Sequence, residues 1–133
     1  MKAKIDTGAQ TSALHATDVV EFERDGEDWV RFTVHPWQRN DLDAKTIELP
    51  VHDRRSVRSS SGHSEERLVV AMDIALAGRT IRAEVTLTSR HAMVFRMLIG
   101  REALRKGYTV DSGASYLGGR PERSVRVRNR RAA

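Results

Sequence analysis

Residues 2–15 read Lys2-Ala3-Lys4-Ile5-Asp6-Thr7-Gly8-Ala9-Gln10-Thr11-Ser12-Ala13-Leu14-His15. Lys2 to Ile5 alternates polar and apolar side chains, the period of a half-buried strand. Asp6-Thr7-Gly8-Ala9 follows it directly. A bare Asp-Thr-Gly triplet is a weak signal, because it arises by chance in many chains. Its weight here comes from company: far downstream, Met97-Leu98-Ile99-Gly100-Arg101 leads into a short helical stretch, Arg101 to Lys106, with Gly107 as its stop.

Between these two segments the pattern is that of strands. Val19, Phe22 and Trp29 to Val34 flank Asp25-Gly26, a hairpin turn signal. Thr46 to His52 reads as a further strand. Arg67 to Leu76 and Thr80 to Leu87 are β-rich runs separated by Ala77-Gly78, a second hairpin. Ser56 to Ser64 is small and polar, as a loop or hairpin tip should be. Tyr108-Thr109-Val110 reads as a last short strand. Short strands at regular spacing predict a mainly β chain, a small barrel or sandwich.

The 133 residues form one expected domain, with no repeat and no interdomain linker. Cysteine is absent, which excludes disulfides, a thiol nucleophile and Cys-ligated metals. No apolar run approaches the ~18 residues of a membrane span. Met1 to Ala9 has no apolar core of a secretory signal, so a cytoplasmic location is expected. The net charge of +5 is concentrated: residues 120–133 carry six Arg and one Glu, leaving 17 basic and 17 acidic residues elsewhere. The expected division is a domain at 1–119 and a solvated basic tail at 120–133. Such a tail suits an acidic partner such as RNA.

The two segments around Asp6 and Gly100 together resemble the retropepsin-like aspartic peptidases. Their pattern is an apolar residue, Asp-Thr-Gly-Ala, then a Ser/Thr and an aliphatic residue, and a distal apolar-apolar-Gly-Arg before a helix. Residues 3–16, Ser59-Ser60-Ser61-Gly62-His63 and Leu98-Ile99-Gly100-Arg101 are similar to one bacterial branch, the RimB type, historically labelled an ATP-dependent zinc protease. The resemblance implies an all-β, closed-barrel acid-protease fold with one short C-terminal helix, active as a homodimer. It implies that Asp6 of each subunit supplies one carboxylate of a proton-sharing pair that activates water for peptide hydrolysis, without cofactor or metal. Thr7 is expected to hydrogen-bond across the dimer, and Gly8 to bring backbone amides near the carboxylate. Ala9, Gln10, Ser61 and Gly62 are expected to contact substrate, the last two in a flap. Ile99, Gly100 and Arg101 are expected to support the loop. The usual neighbourhood of this branch suggests a glutamate ligase and ribosomal-protein modification. Two features depart from the pattern: Gln10 stands where many viral members have an acidic residue, and Met1 lies only five residues before Asp6.

Other constellations compete poorly. Asp111-Ser112-Gly113 could supply a second carboxylate in a two-lobed enzyme, but no apolar-Gly-helix segment follows it, so a turn is expected. His63-Ser64-Glu65-Glu66-Arg67 lacks zincin spacing, and His15, His35, His52 and His91 are scattered. His15 is expected near the active-site loop in a structural role. No phosphate-binding Gly-Lys-Ser/Thr loop occurs. Trp29 and Trp37 are expected as core or groove wall. The rival function is a non-catalytic protein- or RNA-binding domain of the same fold.

Overall fold

The computed structural model describes residues 1–37, 42–58, 62–89 and 95–117. Eight strands run in chain order: β1 (Ala3–Ile5), β2 (Ser12–Arg24), β3 (Glu27–Val34), β4 (Lys45–Pro50), β5 (Asp53–Arg58), β6 (Ser64–Leu76), β7 (Arg79–Thr88) and β8 (Met97–Ile99). One helix, α1 (Arg101–Leu104), follows β8. Both hairpin signals hold. Asp25 and Gly26 have φ of 52° and 80°, and Ala77 and Gly78 have 49° and 80°. A two-residue turn with both residues at positive φ matches the right-handed twist of the strands it joins.

The strand order is β1-β8-β2-β7-β6-β5, with β3 and β4 branching from the far half of β2. Strand β2 serves both parts. Its first half pairs with β8 and β7, and its second half pairs with β3. The register shifts between Thr17 and Val20, where Asp18 has φ 51°. A bulge of this kind bends a strand and lets it pass from one sheet to another.

The expected closed barrel is therefore corrected. Among the described residues the sheet is open, with β1 bonded only to β8, β5 only to β6 and β4 only to β3. The all-β class stands. Three further expectations change. Residues 108–110 are not a strand, since Tyr108 is drawn back to the helix by its amide on the Leu104 carbonyl. The helix ends at Leu104, with Gly107 at φ 138° two residues past its cap. The polar run from Ser56 is not all loop, because Ser56 to Arg58 completes β5, antiparallel to β6. Cross-strand pairing overrides its polar composition.

The main core lies between the two parts of the sheet and is built from Leu14, Val30, Phe32, Val70, Val85 and Leu87. A second cluster, Ile81, Ala83, Ile99, Ala103 and Leu104, lies under α1. Trp29 and Trp37 belong to neither. Trp29 is half-buried with the Arg24 guanidinium 4.4 Å above its ring, and Trp37 donates to Asp43 at 2.8 Å. Phe32 is fully buried, so Phe32→Ala should destabilise the fold by about 3–5 kcal/mol, read as a lowered urea midpoint.

Candidate active site

Strand β8 inserts between β1 and β2, parallel to the first and antiparallel to the second. The register Ile5↔Ile99 ends β1 and β8 at the same level. Asp6 and Gly100, the residues that follow, therefore emerge side by side although they are far apart in sequence. The Asp6 amide donates to the Ile99 carbonyl at 2.9 Å and fastens the first residue of the loop.

The loop is internally ordered. The Gly8 amide donates to Asp6 Oδ1 at 3.0 Å, and the Ala9 amide donates to the Asp6 carbonyl at 3.2 Å. An amide on one oxygen fixes the orientation of the carboxyl. The start of α1 closes over the loop from the other side. The Arg101 amide donates to the Ala9 carbonyl at 2.8 Å, and the Glu102 amide to the Gln10 carbonyl at 3.1 Å. These are helix-start amides with no partner inside the helix, so the loop's carbonyls satisfy them. The Gly100 amide donates to Ser12 Oγ at 3.1 Å, and the Arg101 guanidinium reaches the Gly8 carbonyl at 3.4 Å.

Gly100 matters for its missing side chain. A Cβ there would lie 2.7 Å from the Thr11 carbonyl carbon, 2.9 Å from its oxygen and 3.0 Å from the Ala9 oxygen. All three neighbours are backbone, so none can swing aside. Ile99, 1% exposed, packs beneath as part of the second core cluster.

Asp6 is half-buried, and Thr7 and Gly8 are exposed. The loop thus presents its carboxylate at the surface of the single chain. Beside it opens a groove of about 530 Å³, lined on one side by Gly8, Ala9, Gln10 and Thr11 and on the other by Arg55, Val57, Arg58 and Arg67. Thr86, Glu84, Ala13 and Leu98 also line it. Gln10 does not meet Arg101, since its amide donates to Glu102 Oε1 at 2.9 Å instead. Gly62 sits exposed at φ 87° between β5 and β6 and does not line the groove. Ser61, also expected to contact substrate, lies outside the described residues, as do His91 and the tail at 120–133.

His15 is fully buried in β2 and outside the groove lining, its ring 5.6 Å from that of His35. Among the described residues no three His, Asp or Glu side chains converge as a metal site. Asp111-Ser112-Gly113 is a turn, with the Gly113 amide on Asp111 Oδ1 at 2.9 Å.

Sequence reading missed the charged wall of the groove. Arg55 donates to Glu84 at 2.8 Å and to Asp53 at 2.8 Å, and His52 lies 3.0 Å from the other Glu84 oxygen. The Arg55 hydrogen bond holds the Glu84 carboxyl below the usual carboxylate range and lifts Arg55 in turn. The Asp53 carboxyl is lowered first by the Arg54 amide and then by Arg55. The signal was the alternation of residues 53, 55 and 57, which is visible only once β5 is known to be a strand.

Two outcomes follow. Gly100→Ala should cost about 1–3 kcal/mol by forcing the loop away from β8, measured by urea denaturation. A carboxyl with a depressed folded pKa stabilises above its unfolded value and loses that contribution as pH falls through the depressed one. The wild-type urea midpoint should therefore fall on acidification below the ordinary carboxylate range more steeply than that of Glu84→Gln, which has no charge to lose.

A Shewanella pealeana protein carrying the name "Probable alpha-L-glutamate ligase" is 44% identical over 116 residues, 87% of this chain and 25% of that one. A Desulfotalea psychrophila protein of the same name is 43% identical over 114 residues, 84% of this chain and 24% of that one. The chain thus spans about a quarter of the length of these curated relatives. The crystal structure of Lpg0085, a Legionella pneumophila protein of unknown function, superposes with a TM-score of 0.72 at 27% identity, covering 87% of this chain and 83% of that one. Residues 1–121 match the RimB-like family, described as "Retropepsin-like aspartic endopeptidase RimB", and the chain belongs to that family.

Proposed function

We propose that this chain is one half of an aspartic endopeptidase, working as a two-fold homodimer in which Asp6 of each copy meets its twin. The observation that carries this reading is the Asp6 loop: a surface carboxylate oriented by the Gly8 amide and clamped by the β8–α1 junction. One copy offers one such loop, and the chemistry needs two carboxylates. Two carboxylates about 3 Å apart cannot both ionise, so they share a proton. The ionised member takes a proton from a water between them while that water attacks the peptide carbonyl. The protonated member donates to the carbonyl oxygen and stabilises the charge developing there. The pair's two pKa values belong to both residues together. Thr7, exposed beside Asp6, takes the cross-dimer hydrogen bond in this reading, and Ala9 and Gln10 contact the substrate backbone from the groove wall. Residues 1–119 form the peptidase domain and 120–133 a basic tail.

The groove supports an acidic substrate. Arg55, Arg58 and Arg67 line it, and Arg58 has no ion-pair partner among the described residues. The matched relatives bear a ligase name that refers to glutamate. A segment rich in glutamate suits Arg58, and association with a glutamate ligase acting on ribosomal proteins in the cytoplasm belongs to the same reading.

The test is cleavage of a fluorogenic acidic peptide by the purified chain and by Asp6→Asn. Turnover should fall at least about a thousandfold with the far-ultraviolet spectrum and urea midpoint preserved, because a neutral amide can neither take nor share the proton. Turnover retained by Asp6→Asn would sink the reading. Binding of the peptide without turnover by either protein would favour a non-catalytic binding domain.

A further inference from the structure

Strand β5 forms one wall of the groove, yet among the described residues it is an edge strand bonded only to β6. Asp53, Arg55 and Val57 share its groove face by strand alternation. Its rung at the centre of that wall is unfavourable by itself. Arg55 stands opposite Arg67 in the register, and like charges directly opposite destabilise a strand pair.

Carboxylates offset that repulsion from three directions. Glu84, on β7 and thus two strands away, reaches Arg55 at 2.8 Å and His52 at 3.0 Å. Asp53, on β5 itself, takes the Arg55 Nε at 2.8 Å, and Glu65 faces Arg67 at 3.2 Å. On the other face of β5, Arg54 bonds Glu21 of β2 at 2.5 Å and lies 3.5 Å from Asp28 of β3. The first half of β5 is pinned from both faces. Val57 and Arg58, which line the same groove as Ala9 and Gln10, have no ion pair among the described residues.

We propose that Arg55, held by Glu84 and Asp53, is a positioning residue that fixes β5 as the groove wall and thereby sets the gap between Val57–Arg58 and the Asp6 loop into which a bound chain fits. It acts through the strand and does not touch the reacting atoms. The opposed shifts of Glu84 and Arg55 fit this coupling.

The structural arm of the test is independent of the peptidase reading. It is amide exchange of the full chain, followed over residues 53–58 by mass spectrometry. Arg55→Gln and Glu84→Gln should each speed exchange there about three- to fivefold, the factor expected from losing a half-exposed pair within a network. Arg55→Lys, which keeps the charge facing Glu84, should recover most of the protection. Arg24→Gln removes the Arg24–Glu48 pair between β2 and β4 and should leave 53–58 unchanged. Unchanged exchange in both Arg55→Gln and Glu84→Gln, or acceleration equal in every strand, would overturn the proposal.

The kinetic arm rests on the peptidase reading and uses the same acidic peptide. KM should rise about threefold or more in Arg55→Gln and Glu84→Gln with kcat within about twofold of wild type. A fall in kcat with KM unchanged would overturn it. Absence of wild-type turnover would count against the peptidase reading alone and leave the exchange result to decide the clamp.

Discussion

Everything at this site depends on how closely two backbone segments approach at Gly100. Strand β8 lies between β1 and β2, so the residues that follow β1 and β8 leave the sheet together. Only a residue without a side chain lets the second segment pass against Thr11 and Ala9. From that contact the rest follows. The free amides of α1 land on loop carbonyls, the Ser12 hydroxyl takes the Gly100 amide, and the Asp6 loop is held from both ends. Packing thus fixes where the loop sits, while its internal turn is the local Asp-x-Gly form.

The chain contains its own control for that statement. Asp111-Ser112-Gly113-Ala114 repeats the internal hydrogen bonds of the Asp6 loop, with Gly113 on the Asp111 carboxyl at 2.9 Å and the Ala114 amide on the Asp111 carbonyl at 3.2 Å. An Asp-x-Gly turn of this form is a local event, because the side chain bonds an amide two residues on. Among the described residues no strand pairs beside Asp111 and no helix start caps its carbonyls, and Asp111 is exposed where Asp6 is half-buried. The same four-residue geometry therefore occurs with and without a scaffold, and only the scaffolded copy borders the groove.

Charge on the groove is arranged with similar economy. Arg55 and Arg67 would repel across β5 and β6 if they were alone, and each is matched by a carboxylate. The matched pairs hold the wall, and Arg58 has no ion pair among the described residues. In the proposed reading, a wall neutralised in this way with Arg58 left over suits an acidic chain without the hairpin being driven apart by its own charge.

Local sequence marked most of the long strands, the two hairpin turns and the Asp6 turn, because alternation and turn residues act over only a few positions, and it placed a strand at Tyr108 to Val110 that does not form. The resemblance to the retropepsin-like family, not local preference, marked Ile99, Gly100 and Arg101 as companions of Asp6. Local sequence could not show that Ser56 to Arg58 forms a strand, since that polar segment becomes one only through pairing with β6. Nor could it show that the sheet stays open, that Gln10 turns to Glu102, or that Arg55 meets Glu84 across two strands. Those outcomes belong to the tertiary structure, because each depends on which strand edges and side chains long-range pairing brings within a few ångströms, and no local preference encodes that.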